Sequence, residues 1–545
     1  MSYTLCRSRR IWGVSVLKRS SSRMSRESLV KDINDFKFSK CKILDLPIDG
    51  IRDNFVRRMM KGVVFSRVAP TPLASPRLVS FSAEALDEIL DLDPVVVKSR
   101  DFVEFIAGNK LLPSSTPLAH RYGGHQFGTW AAQLGDGRAI VLGQYVNRKD
   151  QTWELQLKGS GMTPYSRDGD GRAVLRSSIR EFLCSEAMHY LGIPTSRAGA
   201  IIVSADHVIR DLLYDGHPKL EPTSVVLRLA PSWFRIGSLE ILAKYQENEL
   251  LAELLNFIIK EYFPNIEDNE DKLLNFLKAV CRMTSDLVVA WQAVGFTHGV
   301  LNTDNISLMG ITIDYGPFGF MEAYNPMYVP NHSDSTARYC YGRQITITIY
   351  NLTMLASAIA PLLNGTQMMK AARMVQEEEN YMKTKLEEKF SQKLGLHKSS
   401  PELTTMLIKM LEETQADFVM TFRELSEYPI DKLKKPAASL WALQQLSRHA
   451  SYPKFIEMYQ KRLVELGITD TQRMEDMRRV NPCYTLRNWM AEEAIKAAHS
   501  GDFSQVDLLL RILKNPFTRQ EEAEAKGYGA KPPSWSRTLC LSCSS

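Results

Sequence analysis

Apolar positions follow two different periods along the chain and divide it into a strand-rich part and a helical part. Between residues 119 and 160, apolar runs such as GTWAAQLG, RAIVLGQYV and TWELQLKG are separated by glycine or polar turns, which predicts β-strands. Further strands are predicted at AIIVS and SVVLRLA. Before them, GRAVLRSSIREFLCSEAMHYLG has the pattern of an amphipathic helix that ends at Gly192. From about residue 240 helical spacing dominates, with one long helix predicted in EDKLLNFLKAVCRMTSDLVVAWQAVGF.

An alternating stretch follows this long helix directly. It reads HGVLNTDNISLMGITIDYGPFGF, spans residues 298–320, and predicts two short strands joined by a turn at Met309 and Gly310. In that register Asn305 lies opposite Asp314, with Cβ atoms about 4.5–5.5 Å apart. An amide oxygen and a carboxylate so placed suit one Mg²⁺ ion, whose ligands lie at about 2.0–2.1 Å. The alternative is an edge hairpin whose polar ends are only solvated.

The composition is that of an ordinary globular chain with an unusual start. Of 545 residues, 44% are hydrophobic and 24% charged, and we expect no membrane span because no apolar run is long enough. The net charge is +6, but residues 1–26 hold seven Arg or Lys and no acidic residue. The remainder is near neutral, which argues against nucleic acid as a partner. The Arg- and Ser-rich start predicts a mitochondrial transit peptide, with a disordered basic tail as the alternative.

The eight cysteines are mostly scattered, as expected for reduced thiols in an intracellular protein: Cys6, Cys41, Cys184, Cys281, Cys340, Cys483, Cys540 and Cys543. The last two form CLSC at the end of the chain. No second Cys pair or His pair accompanies them, which argues against zinc. They are a candidate redox pair, or else two incidental cysteines in a loose tail.

The motifs have the order found in a protein kinase. GDGRAIVLG places a glycine turn between two strands, and Lys158 ends the next strand, where kinases hold a phosphate-binding lysine. The following helix offers Glu181 as an ion-pair partner for Lys158. HGVLNTDN and DYG are similar to the kinase catalytic loop and its metal-binding aspartate. Each feature alone could be a structural turn or a surface charge.

The chain also departs from the kinase pattern. The loop lacks the Arg-Asp pair, and no Ala-Pro-Glu follows DYG. A second glycine turn, GDGRAVLR at 169–176, nearly repeats the first and is predicted to open a helix, where an anion is favoured. Arg228 and Arg235 in RLAPSWFR add forked donors that suit phosphate.

These motif strings, together with YGGHQFGTWAAQLGDGRAIVLG and ELQLKGSGMTPYSRDGDGRAVLR, resemble the selenoprotein O (YdiU) family from about residue 40 to the end. The resemblance implies a kinase-like fold that binds ATP in a flipped orientation. It implies transfer of AMP to Ser, Thr or Tyr hydroxyls of proteins, with release of pyrophosphate. The Cys540 and Cys543 pair predicts redox regulation of this transfer. Eukaryotic members are mitochondrial, and selenocysteine-containing members carry that residue where this chain has Cys543.

The resemblance also assigns residues. It implies Asp304 as the catalytic base, Mg²⁺ (or Mn²⁺) at Asn305 and Asp314, and ATP contacts at Gly135, Gly137, Arg138, Lys158, Asp170, Gly171, Arg228, Arg235 and Asp314. ATP and mitochondrial proteins with hydroxyl side chains are the expected partners. Three alternatives stay open: a protein kinase that transfers the γ-phosphate, an inactive ATP-binding pseudokinase scaffold, and a thiol oxidoreductase built on Cys540 and Cys543.

The predicted architecture is therefore an α+β, protein-kinase-like bilobal fold, with a β-rich N-lobe, a mainly helical C-lobe and family-specific extensions at both ends. The predicted segments are a transit peptide at 1–30, an N-terminal extension packing on the core at 31–115, the N-lobe at 116–240, the C-lobe with the catalytic loop at 241–518, and a flexible tail with the Cys pair at 519–545.

Overall fold

The computed structural model describes residues 29–51 and 58–542, and these form a mixed α+β structure. Residues 1–28 of the predicted transit peptide and Cys543 lie outside the described residues. The strands are β1 Ile48–Asp49, β2 Phe65–Arg67, β3 Arg77–Phe81, β4 Leu118–His120, β5 His125–Gln126, β6 Thr129–Trp130, β7 Ala139–Val146, β8 Thr152–Lys158, β9 Ala173–Val174, β10 Arg197–Arg210, β11 Lys219–Ala230, β12 Phe296–Thr297 and β13 Gly319–Phe320.

One large sheet carries most of these strands. Its order is β1-β2-β4-β7-β8-β11-β10-β3, and β9 pairs with β11. The β7–β8 hairpin sets Ala139 opposite Lys158, and β8 sets Gln156 opposite Arg228 on β11. Two cationic side chains that are 70 positions apart in sequence thus lie on neighbouring central strands.

The N-terminal extension is built into this sheet. It supplies β1, β2 and β3, and its helices α1 Ala83–Leu90 and α2 Arg100–Ala107 cover one face. There Phe102 and Ile106 pack in the same buried cluster as Ile140 and Leu227. Burying such side chains stabilises the fold by about 1.5–3 kcal/mol each.

The other face of the sheet packs on α3 Leu175–Tyr190, which is shorter at both ends than the predicted helix. The remaining helices are α4 Ile236–Lys244, α5 Asn248–Tyr262, α6 Lys272–Ala293, α7 Gln344–Ile359, α8 Gly365–Lys393, α9 Pro401–Thr414, α10 Phe418–Glu427, α11 Trp441–Leu446, α12 Tyr452–Glu465, α13 Asp470–Val480, α14 Asn488–His499, α15 Ser504–Leu513 and α16 Glu521–Ala525. Helix α6 is the predicted long helix, and its Leu277, Val280, Leu287 and Trp291 are buried.

The predicted hairpin after α6 has a different register. Ile306 is bridged to Thr312, and the Ser307 amide donates to the Ile311 carbonyl at 3.1 Å, so the pairing is displaced by one residue. Asn305 is therefore not the cross-strand partner of Asp314. Alternation does not predict this register because Ser307 and Thr312 are as buried as their apolar neighbours. In addition, Ser307 is bridged to Arg235.

The predicted flexible tail is packed on the protein through residue 542. It contains α16, its Tyr528 is buried in the main core, and Leu541 is bridged to Asn331. Apolar side chains in a charged, Gly- and Pro-containing segment explain this difference, because they bury surface that composition alone does not reveal.

One helical stretch in the described part of the chain, Tyr341–Leu362, has the length and apolar composition that a membrane crossing needs, contrary to the expectation from the sequence. Core helices of soluble proteins share this length and composition, so the stretch is weak evidence for a span. Its main part, α7, packs against α4, α6 and α8.

Candidate active site

A cavity of about 870 Å³ lies between the central strands, α3 and the segment 298–317. Its wall includes every residue that was predicted from the sequence to bind ATP, to bind Mg²⁺ or to act as the catalytic base: Gly135, Gly137, Arg138, Lys158, Asp170, Gly171, Arg228, Arg235, Asp304, Asn305 and Asp314. Cys540 is not among the lining residues, although its neighbours Leu541 and Ser542 are. The cavity is thus lined by residues that are up to 179 positions apart in sequence.

A compact ion network fills one side of the cavity. Lys158 Nζ lies 2.7 Å from Glu181 Oε2 and also contacts Asp314 Oδ1. Arg228 Nη1 lies 2.8 Å from Glu181 Oε1 and 4.0 Å from Asp314 Oδ1. Burial raises the pKa of Asp314, but the charges of Lys158, Arg228 and Arg138 outweigh this and hold the pKa well below its usual range. Asp314 is therefore an anion at neutral pH.

Asn305 and Asp314 offer oxygen ligands of the kind that Mg²⁺ prefers. The Asn305 Nδ2 atom donates to the Val300 carbonyl at 2.8 Å, which leaves Oδ1 as the atom that could bind a cation. Among the described residues, no group of three or more His, Cys, Asp or Glu could hold a metal ion. An amide and one carboxylate fit Mg²⁺ only where phosphate oxygens and water complete the coordination, which is the usual arrangement for Mg²⁺ with nucleotides.

Asp304 is the buried carboxyl group nearest in sequence to these ligands. It lies in a short 3₁₀-helix, Thr303–Asn305, and burial raises its pKa to about 6, while the charge of Arg235 and a hydrogen bond from Gln126 act in the opposite direction. Its Oδ2 accepts from Gln126 Nε2 at 3.3 Å, whereas Oδ1 is buried without a hydrogen-bond partner. A carboxyl group in this state can accept a proton from a hydroxyl that enters the cavity.

The two arginines of RLAPSWFR are held by aromatic rings and by carboxylates. The Arg228 guanidinium lies 4.7 Å from the Trp233 ring centroid, and that of Arg235 lies 3.9 Å from the Tyr122 ring centroid. Arg235 Nη2 also lies 3.3 Å from Asp136 Oδ1. Asp136 was not predicted from the sequence, although it is the middle residue of the first glycine turn.

The two glycine turns differ in their surroundings. In the first turn, a Cβ at Gly135 would lie 2.4 Å from the Tyr165 ring, so its backbone packs against protein as well as lining the cavity. In the second turn, Asp170 forms a paired contact with Arg210 at 2.8 Å, and strand β9 separates the turn from α3. This turn therefore does not open the helix as predicted, and its Asp170 and Gly171 line the cavity.

Arg180 was also missed from the sequence. It lines the cavity, is buried, and binds the Phe318 carbonyl through Nη2 at 2.7 Å and Asn488 Oδ1 through Nη1 at 3.2 Å. In the sequence, only its position next to Glu181 indicated that Arg180 could lie at the site.

The sequence comparisons agree with this constellation. Residues 57–514 match the family described as protein adenylyltransferase SelO. The protein nucleotidyltransferase YdiU of Nitrosospira multiformis is 40% identical and covers 94% of this chain and 97% of its own length. The proteins of the same name from Azoarcus and Rhodopirellula baltica are 42% and 40% identical, and cover 90% and 94% of this chain and 95% and 99% of their own lengths.

Proposed function

Because the chain belongs to the SelO family and is a protein nucleotidyltransferase, we propose that it transfers AMP from ATP to Ser, Thr or Tyr hydroxyls of proteins and releases pyrophosphate. The observation that carries the proposal is the Asp304 carboxyl group, whose Oδ1 has no partner and which lines the same cavity as Asp314, Lys158 and two arginines.

In the proposed reaction the acceptor hydroxyl oxygen attacks the α-phosphorus of ATP, and its proton passes to the Asp304 carboxylate. The bond between the α-phosphorus and the bridging oxygen breaks, so that pyrophosphate leaves with that oxygen. Lys158, Arg228 and Arg235 bind phosphate oxygens in the flipped ATP orientation, and Glu181 keeps the Lys158 ammonium directed at them.

Asn305 and Asp314 would hold Mg²⁺ together with the phosphates of ATP. When bound, the ion neutralises the charge that develops on the phosphate oxygens. The protein's own contribution is geometric: Arg228 lies 4.0 Å from Asp314, and the Arg228 side chain also binds the Ile313 carbonyl at 2.8 Å. These contacts fix the Asp314 backbone at the cavity wall.

Three finer features belong to the same proposal. We propose a kinase-like bilobal fold, with the sheet as N-lobe and the helices after residue 240 as C-lobe, and a mitochondrial location because of the basic start.

We also propose redox regulation by Cys540 and Cys543. Cys540 is exposed, and its neighbours Leu541 and Ser542 line the cavity. Exchange with a low-molecular-weight disulfide would join Cys540 and Cys543 and reduce the small molecule to two thiols. The new disulfide would alter the cavity wall at Leu541 and Ser542.

ATP labelled at the α- or γ-phosphate tests the reaction. With purified full-length protein, Mg²⁺ and mixed protein acceptors, we expect protein-bound α-label and free pyrophosphate. Asp304→Asn should abolish the labelling, whereas Asp268→Asn, which changes a carboxylate that is 88% exposed, should not. Protein-bound γ-label would identify a kinase instead, and the absence of both labels would indicate an inactive scaffold.

A further inference from the structure

A small hairpin connects the sheet with the catalytic loop. It consists of β5 and β6, and its His125 amide donates to Thr303 Oγ1 at 2.7 Å. Just before it, the Gly123 amide donates to the Gly237 carbonyl at 3.0 Å. A Cβ atom at Gly124 would lie 3.0 Å from Asp304 Cβ, so the backbone of this segment packs directly against the catalytic residue. We call residues 124–131 the acceptor hairpin.

Gln126 is the side chain of the acceptor hairpin that reaches Asp304. Its Nε2 donates to Asp304 Oδ2 at 3.3 Å, and both residues line the cavity. This contact leaves Oδ1 as the carboxylate oxygen without a partner. A donor on Oδ2 fixes the rotation of the carboxylate in the cavity wall.

Phe127 occupies an unusual place at the turn of the hairpin. Both turn residues have positive φ, 51° at Phe127 and 84° at Gly128, as in the two-residue turns that prefer Asn-Gly. A bulky residue is strained at this position and persists there only when its surroundings hold it. The Phe127 amide is held by Tyr339 Oη at 2.9 Å and by Asn302 Oδ1 at 3.2 Å.

The ring of Phe127 nevertheless faces outward. It is 42% exposed, its centroid lies 5.2 Å from that of Tyr339, and it lines the cavity next to Gln126. A strained aromatic residue that is half in solvent adds little to the core. Its place beside the catalytic carboxyl group instead suits contact with the molecule that brings the hydroxyl.

We propose that the acceptor hairpin forms the subsite for the protein substrate. Gln126 is a positioning residue that orients Asp304, and Phe127 contacts an apolar side chain next to the acceptor hydroxyl. The occupant is thus an extended polypeptide segment with an apolar neighbour to its Ser, Thr or Tyr. This inference rests on the proposed AMP transfer, because it assigns the acceptor side of that reaction.

The test uses the full-length protein, α-labelled ATP and pairs of unstructured peptides. Each peptide carries one Ser, Thr or Tyr as its only hydroxyl, and the two members of a pair differ only in having Leu or Gln beside it. Phe127→Asn restores the preferred residue of the turn, so the variant should fold at least as well as wild type. Gln126→Met keeps the length of the side chain and removes its donor. Met369→Ala, at a methionine that is 70% exposed on α8, is the matched control.

We expect wild type to prefer the Leu peptides. Phe127→Asn should raise the KM for them about fivefold or more and leave the KM for ATP unchanged. Gln126→Met should lower kcat about tenfold or more with both peptides and leave ATP binding unchanged. Met369→Ala should change neither constant. An intact Leu preference in Phe127→Asn, or an unchanged kcat in Gln126→Met, overturns the inference and leaves the proposed function standing. Wild-type protein that transfers no α-label to any peptide overturns the proposed function itself.

Discussion

The Lys158 ammonium lies 2.7 Å from the Glu181 carboxylate, and this contact joins the end of strand β8 to helix α3. Glu181 uses its other oxygen for Arg228, so one carboxylate holds two cations of the cavity wall. Such a shared carboxylate makes the effects of substitutions interdependent.

We therefore expect Lys158→Met and Glu181→Ala to be non-additive. Lys158→Met should lose about 100-fold or more in AMP transfer because it removes a phosphate-binding cation, and Glu181→Ala should lose less. The double variant should lose less than the product of the two single effects, which a double-mutant cycle on kcat/KM measures. Strict multiplicativity would mean that the two residues do not act as a pair.

Asp314→Ala should abolish AMP transfer, with a loss of about 1,000-fold or more, because it removes the only carboxylate proposed to bind Mg²⁺. The buried apolar side chains Ile311 and Ile313 are untouched, so the variant should stay folded, but the melting temperature should fall because Lys158 and Arg228 lose a carboxylate partner. Labelling from α-labelled ATP across a Mg²⁺ titration is the measurement. Glu377→Ala, at a side chain that is 62% exposed, is the control, and near-normal labelling by Asp314→Ala would refute the assignment.

Asp136→Asn should weaken ATP binding without removing catalysis. The carboxylate pairs with Arg235 at 3.3 Å, and its Oδ2 accepts from the His120 amide at 3.2 Å. Asparagine can keep the second contact but loses the charge that orients Arg235, so we expect the KM for ATP to rise about tenfold and kcat to fall less. Steady-state kinetics with varied ATP decides this, and a change confined to kcat would contradict the role given to Asp136.

A buried lysine in the helical part predicts a pH dependence of stability. Burial lowers the pKa of Lys393 to about 7, and its Nζ lies 4.2 Å from the Phe422 ring centroid. The unfolded state, with a lysine pKa of about 10.4, binds more protons between pH 7 and 10. The contribution of Lys393 to the free energy of unfolding therefore increases with pH in this range, by at most about 1.4 kcal/mol per pH unit.

Lys393→Met should consequently stabilise the protein by a few kcal/mol at pH 7, and this advantage should shrink toward pH 10. Urea unfolding of both proteins at pH 7, 8 and 9 measures the difference. Lys398→Met, at an exposed lysine five positions away, should show no such trend. A constant difference between Lys393→Met and wild type at all three pH values would show that Lys393 is not responsible.

The order of strands and helices could be predicted because it depends on local patterns, and the residues that line the cavity because their motifs resemble a known family. Alternation and helical spacing predict the elements, and glycine turns, Lys158 and the Asp304 loop carry recognisable motifs. The register at 306–312 could not be predicted, because it is set by the bridge between Ser307 and Arg235, which are 72 positions apart. Asp136 was missed for the same reason, since its role appears only when Arg235 is placed beside it.

Strand β3 has a further consequence for how the chain can be shortened. It lies at the end of the sheet and pairs with β10, with Ser80 opposite Ile201 and Leu78 opposite Ile202. A chain that begins after Phe81 would leave the long β10 with an uncovered edge of backbone donors and acceptors next to apolar side chains. Such edges pair with other chains, so a truncated protein of this kind would tend to aggregate through strand addition. Proteolytic processing compatible with a monodisperse protein must therefore stop before this strand.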